Sequence, residues 1–377
     1  MHKLVALVIA LSTIASATQR APLATILGPP GMNAVYPKVA AENGILAIGY
    51  VNIEPAQVYL YSIPNWDAPI ATLTISDPNA IIDSVAIQNA YIAVGAQDDS
   101  TGLGSVYVFV KPEGGWSSEK ETATLLPSNP SNGDGFGYSV SLWGNTLLAS
   151  SGLGAAYLFI EPKGGWVDAT ENAQLTPSDS PPEFGSPVSL TGSVGAGGSL
   201  AVVSAVSSEQ SPNSLVYVYT EPQGGWASMT QTAKLNAGKT CSCGVSVSVA
   251  KSTIAVSTGT FHGNEPPPQI AIFTEPQGGW ANSSSPNFTA SASNAEGFSS
   301  PTLSQDAEVL VSGYGFSNFQ KKEADLAYLW HSDKDFGSSP ITLSAAGLTR
   351  ELIAATVTAD YAFAWDVFGN VFVFNGK

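Results

Sequence analysis

Few residues in this chain could carry covalent chemistry. Past the first 17 residues only His262 and His331 offer an imidazole, and neither a Gly-x-Ser-x-Gly elbow nor a His-Glu-x-x-His helix occurs. The acids Asp83, Asp134, Asp179 and Glu183 sit near the starts of strand-like runs. Two of them converging would suit glycoside cleavage by paired carboxylates, but chain order alone does not bring them together. Cys241 and Cys243, as Cys-Ser-Cys, read as a local bridge or two free thiols, with no second Cys or His pair at zinc-like spacing beside them. Non-covalent chemistry is better supplied. Thr260 to Gln269 carries Phe261, His262 and Glu265, and Gly313 to Asp325 carries Tyr314, Phe316, Phe319, Lys321 and Lys322. Aromatic rings beside polar groups suit contact with a glycan or a protein. The same two stretches also read as plain insertions packed on their own strands.

The elements that must position these residues follow one repeat. Val106 to Trp116 (VYVFVKPEGGW) returns as Ala156 to Trp166, Val216 to Trp226 and Ile270 to Trp280, each an alternating run closed by Pro-x-Gly-Gly-Trp. Weaker copies are Val58 to Trp66, Ala327 to Phe336 and Val371 to Phe374. The central positions Tyr59, Tyr107, Tyr157, Tyr217, Ala271, Tyr328 and Phe372 lie 44 to 60 residues apart, near the blade length of kelch-type repeats. Each unit reads as four short strands. The spacing predicts an all-β, seven-bladed β-propeller of four-stranded blades. Blade one runs Ala34 to Ala41, Ile45 to Gly49, Val58 to Tyr61 and Ala71 to Ile75, with Asn43-Gly44 as a hairpin turn tolerant of positive φ. Blade seven has Leu352 to Thr358, Tyr361 to Trp365 and Val371 to Phe374, then lacks a fourth strand. The isolated run Leu23 to Leu27 supplies it, so that the N-terminal strand closes the last blade and buries both edges at one joint.

Within the repeat, Trp116, Trp166, Trp226 and Trp280 could be aromatic platforms for sugars. Their fixed register with Ala123, Ala173 and Ala233, and with Leu125, Leu175 and Leu235, favours packing between blades. Glu113, Glu161, Glu221 and Glu275 could form an acidic ring or serve as solvated turn residues.

Composition bounds the partners. A net charge of -16 disfavours nucleic acid and anionic membrane surfaces, which reward Lys and Arg. Lys3, the apolar run Leu4 to Leu11 and Ala15-Ser16-Ala17 read as an export signal over residues 1–17, leaving 18–377 as a single propeller domain. No later apolar run approaches the roughly 18 residues that span a bilayer. The mature protein is expected to be soluble and outside the cytoplasm, secreted or periplasmic. Asn282-Ser283-Ser284 and Asn287-Phe288-Thr289 match the N-glycosylation pattern, which matters only in a eukaryotic host. Nothing in the sequence sets an oligomeric state.

Phe136-Gly137 and Phe184-Gly185 before first strands, Gly297-Phe298 in blade six and Gly95-Ala96 ending a second strand resemble FG-GAP repeats. These build the seven-bladed propeller at the head of integrin α chains and recur in many secreted bacterial proteins. The resemblance implies a binding or adhesion module without catalysis, with lectin-like sugar binding as a variant; a propeller glycosidase or lyase is the reading from another class. It also implies a calcium loop after the Gly-Ala element, and Asp98 and Asp99 in Gln97 to Gly104 are the candidate ligands. Here the chain departs from the pattern, because two adjacent carboxylates fall short of the six to eight oxygens that surround calcium. No other cofactor is implied.

Overall fold

Alternation of small and apolar residues produces strands throughout. The computed structural model describes residues 19–30, 36–51, 53–98, 102–130, 135–151, 154–181, 184, 188–192, 199–207, 213–239, 245–258, 269–291, 298–314, 325–332, 336, 339–344, 352–366 and 368–377. Among these no α-helix occurs, and the strands form seven sheets, one for each predicted blade, each built on four strands paired antiparallel. Blade two is representative: Ala80–Gln88, Tyr91–Asp98, Gly104–Val110 and Ala123–Leu126 pair in chain order from inner to outer edge. In blade one Asn43 and Gly44 both adopt positive φ (45° and 78°), the geometry expected of an Asn-Gly hairpin.

The ring closes where the sequence places the joint. Ala24–Ile26 pairs antiparallel with Val371–Asn375 as the outer strand of blade seven, and Ile26 is buried between blades seven and one. Ahead of four of the outer strands, a two-residue strand crosses to the preceding blade and pairs parallel with its outer strand. Glu119–Lys120 does this on blade one, Ala169–Thr170 on blade two and Met229–Thr230 on blade three. Gln19–Arg20 does the same on blade six, in the same register relative to Ala24. The N-terminal segment is thus a complete copy of the repeat's outer portion and belongs to two blades.

Interblade gaps are filled by the aromatic residue that ends each Gly-Gly-Trp loop. Trp166 (4% exposed) packs among residues of blades two and three, Trp226 (8%) of blades three and four, and Trp280 (8%) of blades four and five. Trp66 and Phe336 fill the equivalent gaps at blades seven and one and at blades five and six. Trp116 is half-buried against the cluster of blades one and two. These tryptophans are packing residues, and the sugar-platform alternative is not what their burial supports.

At the inner edge, hydroxyl side chains reach across to the next blade. Ser84 Oγ donates to Gly137 O (2.7 Å), Thr302 Oγ1 donates to Ala355 O (3.1 Å) and Ser248 Oγ accepts from Leu303 N (3.1 Å). Small residues on inner strands therefore relieve crowding and also bond across blades. At the end of the channel where inner strands finish, Glu42 (6% exposed) accepts the Asn89 N–H of the next blade's turn at 2.7 Å and a bond from Gln305 Nε2. Burial pushes this carboxyl above the usual range, and the two bonds oppose that only in part. The folded chain therefore holds the Glu42 proton more tightly than the unfolded chain. The resulting stabilisation is full below the ordinary carboxylate range and is lost as pH rises through the raised native value. Glu42→Gln is expected to flatten the fall in melting temperature as pH rises above the ordinary carboxylate range; a slope identical to that of the parent chain would contradict this.

Candidate functional site

Most of the repeated polar residues are already engaged in holding blades together. Two positions after each tryptophan, Ser118, Asp168, Ser228 and Asn282 accept the backbone N–H of Thr72, Thr124, Gln174 and Lys234 in the preceding blade, at 2.8 to 3.1 Å. Five positions after it, Glu121, Glu171 and Gln231 clasp the backbone N–H and the hydroxyl of Ser76, Ser128 and Ser178. Tyr107 and Tyr217 donate back across the gap to Asp77 (3.4 Å) and Asp179 (2.8 Å). Asp179 also meets Lys234 Nζ at 2.5 Å. Burial raises its carboxyl pKa, but the Lys234 and Tyr217 bonds and the lysine charge outweigh this and hold it low. Of the acidic-ring candidates, Glu161 accepts from Tyr91 Oη (2.8 Å) and Glu221 from Ser199 N (3.0 Å). On the Gly-Gly-Trp face these side chains are structural.

Among the acids considered for catalysis, Asp83 bonds within blade two and Asp179 with Tyr217 and Lys234 of blade four, so the structure does not bring these two together. Asp134 and Glu183 lie outside the described residues, as do Phe261, His262, Glu265, Phe316, Phe319 and Asp99. Tyr314 closes the second strand of blade six (Val309–Tyr314), and Asp98 closes that of blade two opposite Ala80. Both are at the end of the ring where inner strands begin. Among the described residues no three His, Cys, Asp or Glu side chains gather as a metal site.

That same end of the ring, the mouth of the channel, holds a constellation the sequence reading did not assemble. The backbones there meet closely: a Cβ on Gly95 would fall 1.9 Å from Gly137 O, and one on Gly104 would fall 1.6 Å from Phe136 O. Only glycine permits this approach. Phe136 and Phe184 stand edge-on to Tyr157 and Tyr217 of their own blades, at 5.6 and 5.3 Å between ring centres. On this rigid base stand Lys38 of blade one and Asp83 of blade two. Gln97 Nε2 donates to Asp83 Oδ2 at 2.6 Å, which fixes one carboxylate oxygen. Burial pushes the Asp83 carboxyl up, offset in part by Gln97 and by the Lys38 charge. Burial likewise lowers Lys38 against the pull of Asp83. Lys38 is half-buried and forms no ion pair or hydrogen bond with a described residue.

Exposed tyrosines flank this pair. Tyr36 (47% exposed) lies two residues before Lys38, and Tyr138 (47%) follows Gly137, the residue that Ser84 grips beside Asp83. Tyr36 also takes φ of 35°, a region that bulky residues rarely occupy. A lone Lys in a small-residue strand was the available signal for this site. Lys38 is the single Lys or Arg on the seven inner strands as described, and the same register position is Ser84 in blade two and Ser139 in blade three.

No family model matches the chain, and no curated protein does. Solved structures do. The chain is similar to one in the crystal structure of the mitotic checkpoint complex, at 13% identity over 99% of this chain and 98% of that one, with a TM-score of 0.58. It is similar to the Dos1 propeller at 10% identity, over 95% and 96% of the two chains, with a TM-score of 0.56. The WD40 domain of Toxoplasma gondii coronin matches at 11% identity over 95% and 87%, with a TM-score of 0.54. At such identities the likeness is one of fold: the chain is an all-β, seven-bladed propeller of four-stranded blades, with WD40-type structural neighbours.

Proposed function

We propose that the chain is an FG-GAP-type recognition module that acts outside the cytoplasm and binds a protein or a glycan through the mouth of its channel. What carries the reading is the division of labour around the ring. The repeated polar residues of the Gly-Gly-Trp face are committed to interblade bonds and its tryptophans to interblade packing, whereas the mouth keeps Lys38, unpaired among the described residues, beside exposed Tyr36 and Tyr138. The loop residues Phe261, His262, Glu265, Phe316 and Phe319, together with Tyr314, belong to the same surface in this reading. Asp98 and Asp99 are its candidate calcium ligands. Rings and polar groups on a rigid scaffold suit recognition.

The test is a binding screen of chain 18–377 against a glycan array and a panel of purified extracellular-matrix proteins, repeated with added calcium. Binding that falls at least tenfold in Tyr36→Ser/Tyr138→Ser, but survives Val167→Ser on the opposite face, is the expected result. Binding lost in Val167→Ser alone would move the recognition surface to the other face. Silence in every arm would end the reading.

A further inference from the structure

We propose that the channel mouth between blades one and two takes a carboxylated sugar, with Lys38 holding the carboxylate and Asp83 accepting a ring hydroxyl. The inference rests on the recognition reading above and narrows its ligand. An ammonium withdrawn from water without a partner is costly, and a bound anion removes that cost. Lys38 is such a group, the single cation among the inner strands, on a chain whose net charge is -16. A neutral ligand would leave it unpaired.

Asp83 does not fill that role. It forms no ion pair with Lys38 within 4.0 Å, and Gln97 holds its Oδ2 while Oδ1 keeps its acceptor capacity. Lys38 and Asp83 lie on the neighbouring inner strands of blades one and two, so the mouth offers a donor on one blade and an acceptor on the next. A carboxylate alone satisfies the first; a molecule with a hydroxyl next to its carboxylate satisfies both. Tyr36, two residues before Lys38, and Tyr138, next to the Gly137 that Ser84 grips, are exposed rings that favour the apolar face of a sugar ring over a flexible acidic side chain. Gly95, Gly104 and Gly137 fix the backbone beneath, so the groups are held before a ligand arrives.

The experiment is isothermal titration of chain 18–377 with a galacturonic acid trisaccharide, its neutral galactose counterpart and poly-glutamate. The uronate is expected to bind, the neutral sugar and poly-glutamate to bind at least tenfold more weakly, and Lys38→Met to lose the uronate at least tenfold. Lys38→Met should keep or raise the melting temperature, since it removes a desolvated charge, which separates lost binding from lost folding. Equal binding of the neutral sugar would overturn the inference and leave glycan recognition standing. Poly-glutamate binding as tightly would make the ligand an acidic peptide, also against the inference. An unchanged Lys38→Met affinity would overturn it as well. Absence of uronate binding overturns it too, and the wider reading falls only if the array and protein panel are silent.

Discussion

Deleting residues 18–27 is expected to lower the melting temperature by about 10 °C or more. The segment gives blade seven its outer strand through Ala24–Ile26 and blade six its fifth strand through Gln19–Arg20. Burial of Ile26 contributes about 2 kcal/mol, and the backbone bonds about 1 kcal/mol each. That gives on the order of 5 kcal/mol before ring closure is counted, at about 2 °C per kcal/mol for a chain of this size. Loss of the segment also exposes the edge of Val371–Asn375, an invitation to aggregation. A circular permutant that carries 18–30 after Lys377 through a short linker should recover the melt, because Leu23 N already bonds to Val373 O and Arg20 Nη1 to Asn375 O. A deletion that melts like the parent would show that the ring is not closed by this strand.

Trp166→Ala should cost about 3 to 5 kcal/mol, the range for truncating a buried aromatic side chain. Trp166 is 4% exposed and stands edge-on to Tyr91 of the preceding blade at 6.3 Å, so its loss leaves a void on both sides of the gap. Trp116→Ala should cost less, because Trp116 is half-buried. Val167→Ser, next in the chain and 54% exposed, should stay within about 0.5 kcal/mol. Urea titration of the three variants reads the order directly. If Trp116→Ala were the most damaging, the assignment of these rings to interblade packing would be wrong.

The architecture was legible because its signals are local and repeated. The alternating runs, Asn43-Gly44, the Gly-Gly-Trp loops and the spare run Leu23 to Leu27 each state their geometry within about ten residues. The clasps were not legible in the same way. Ser118, Asp168, Ser228 and Asn282, and Glu121, Glu171 and Gln231, bond to partners 43 to 54 residues earlier, so no window shows donor and acceptor together. Their constant offset from tryptophan was the trace they left in the sequence. The mouth was harder still. Asp83 stands out as an acid near a strand start, but Lys38 is one charge in a small-residue strand, and the packing of neighbouring inner strands brings them together. Loop aromatics such as Phe261 and Phe316 drew attention by residue type, which says nothing of where they sit.

A single closed ring makes the N-terminal strand part of one cooperative unit, and amide hydrogen exchange on chain 18–377 tests that most directly. Peptides covering Ala24–Ile26 and Val371–Asn375 should exchange together and as slowly as the central strands of blades two and three, as members of one cooperative unit. Rapid exchange across 19–27, with the rest of the chain protected, would contradict closure by the N-terminal strand.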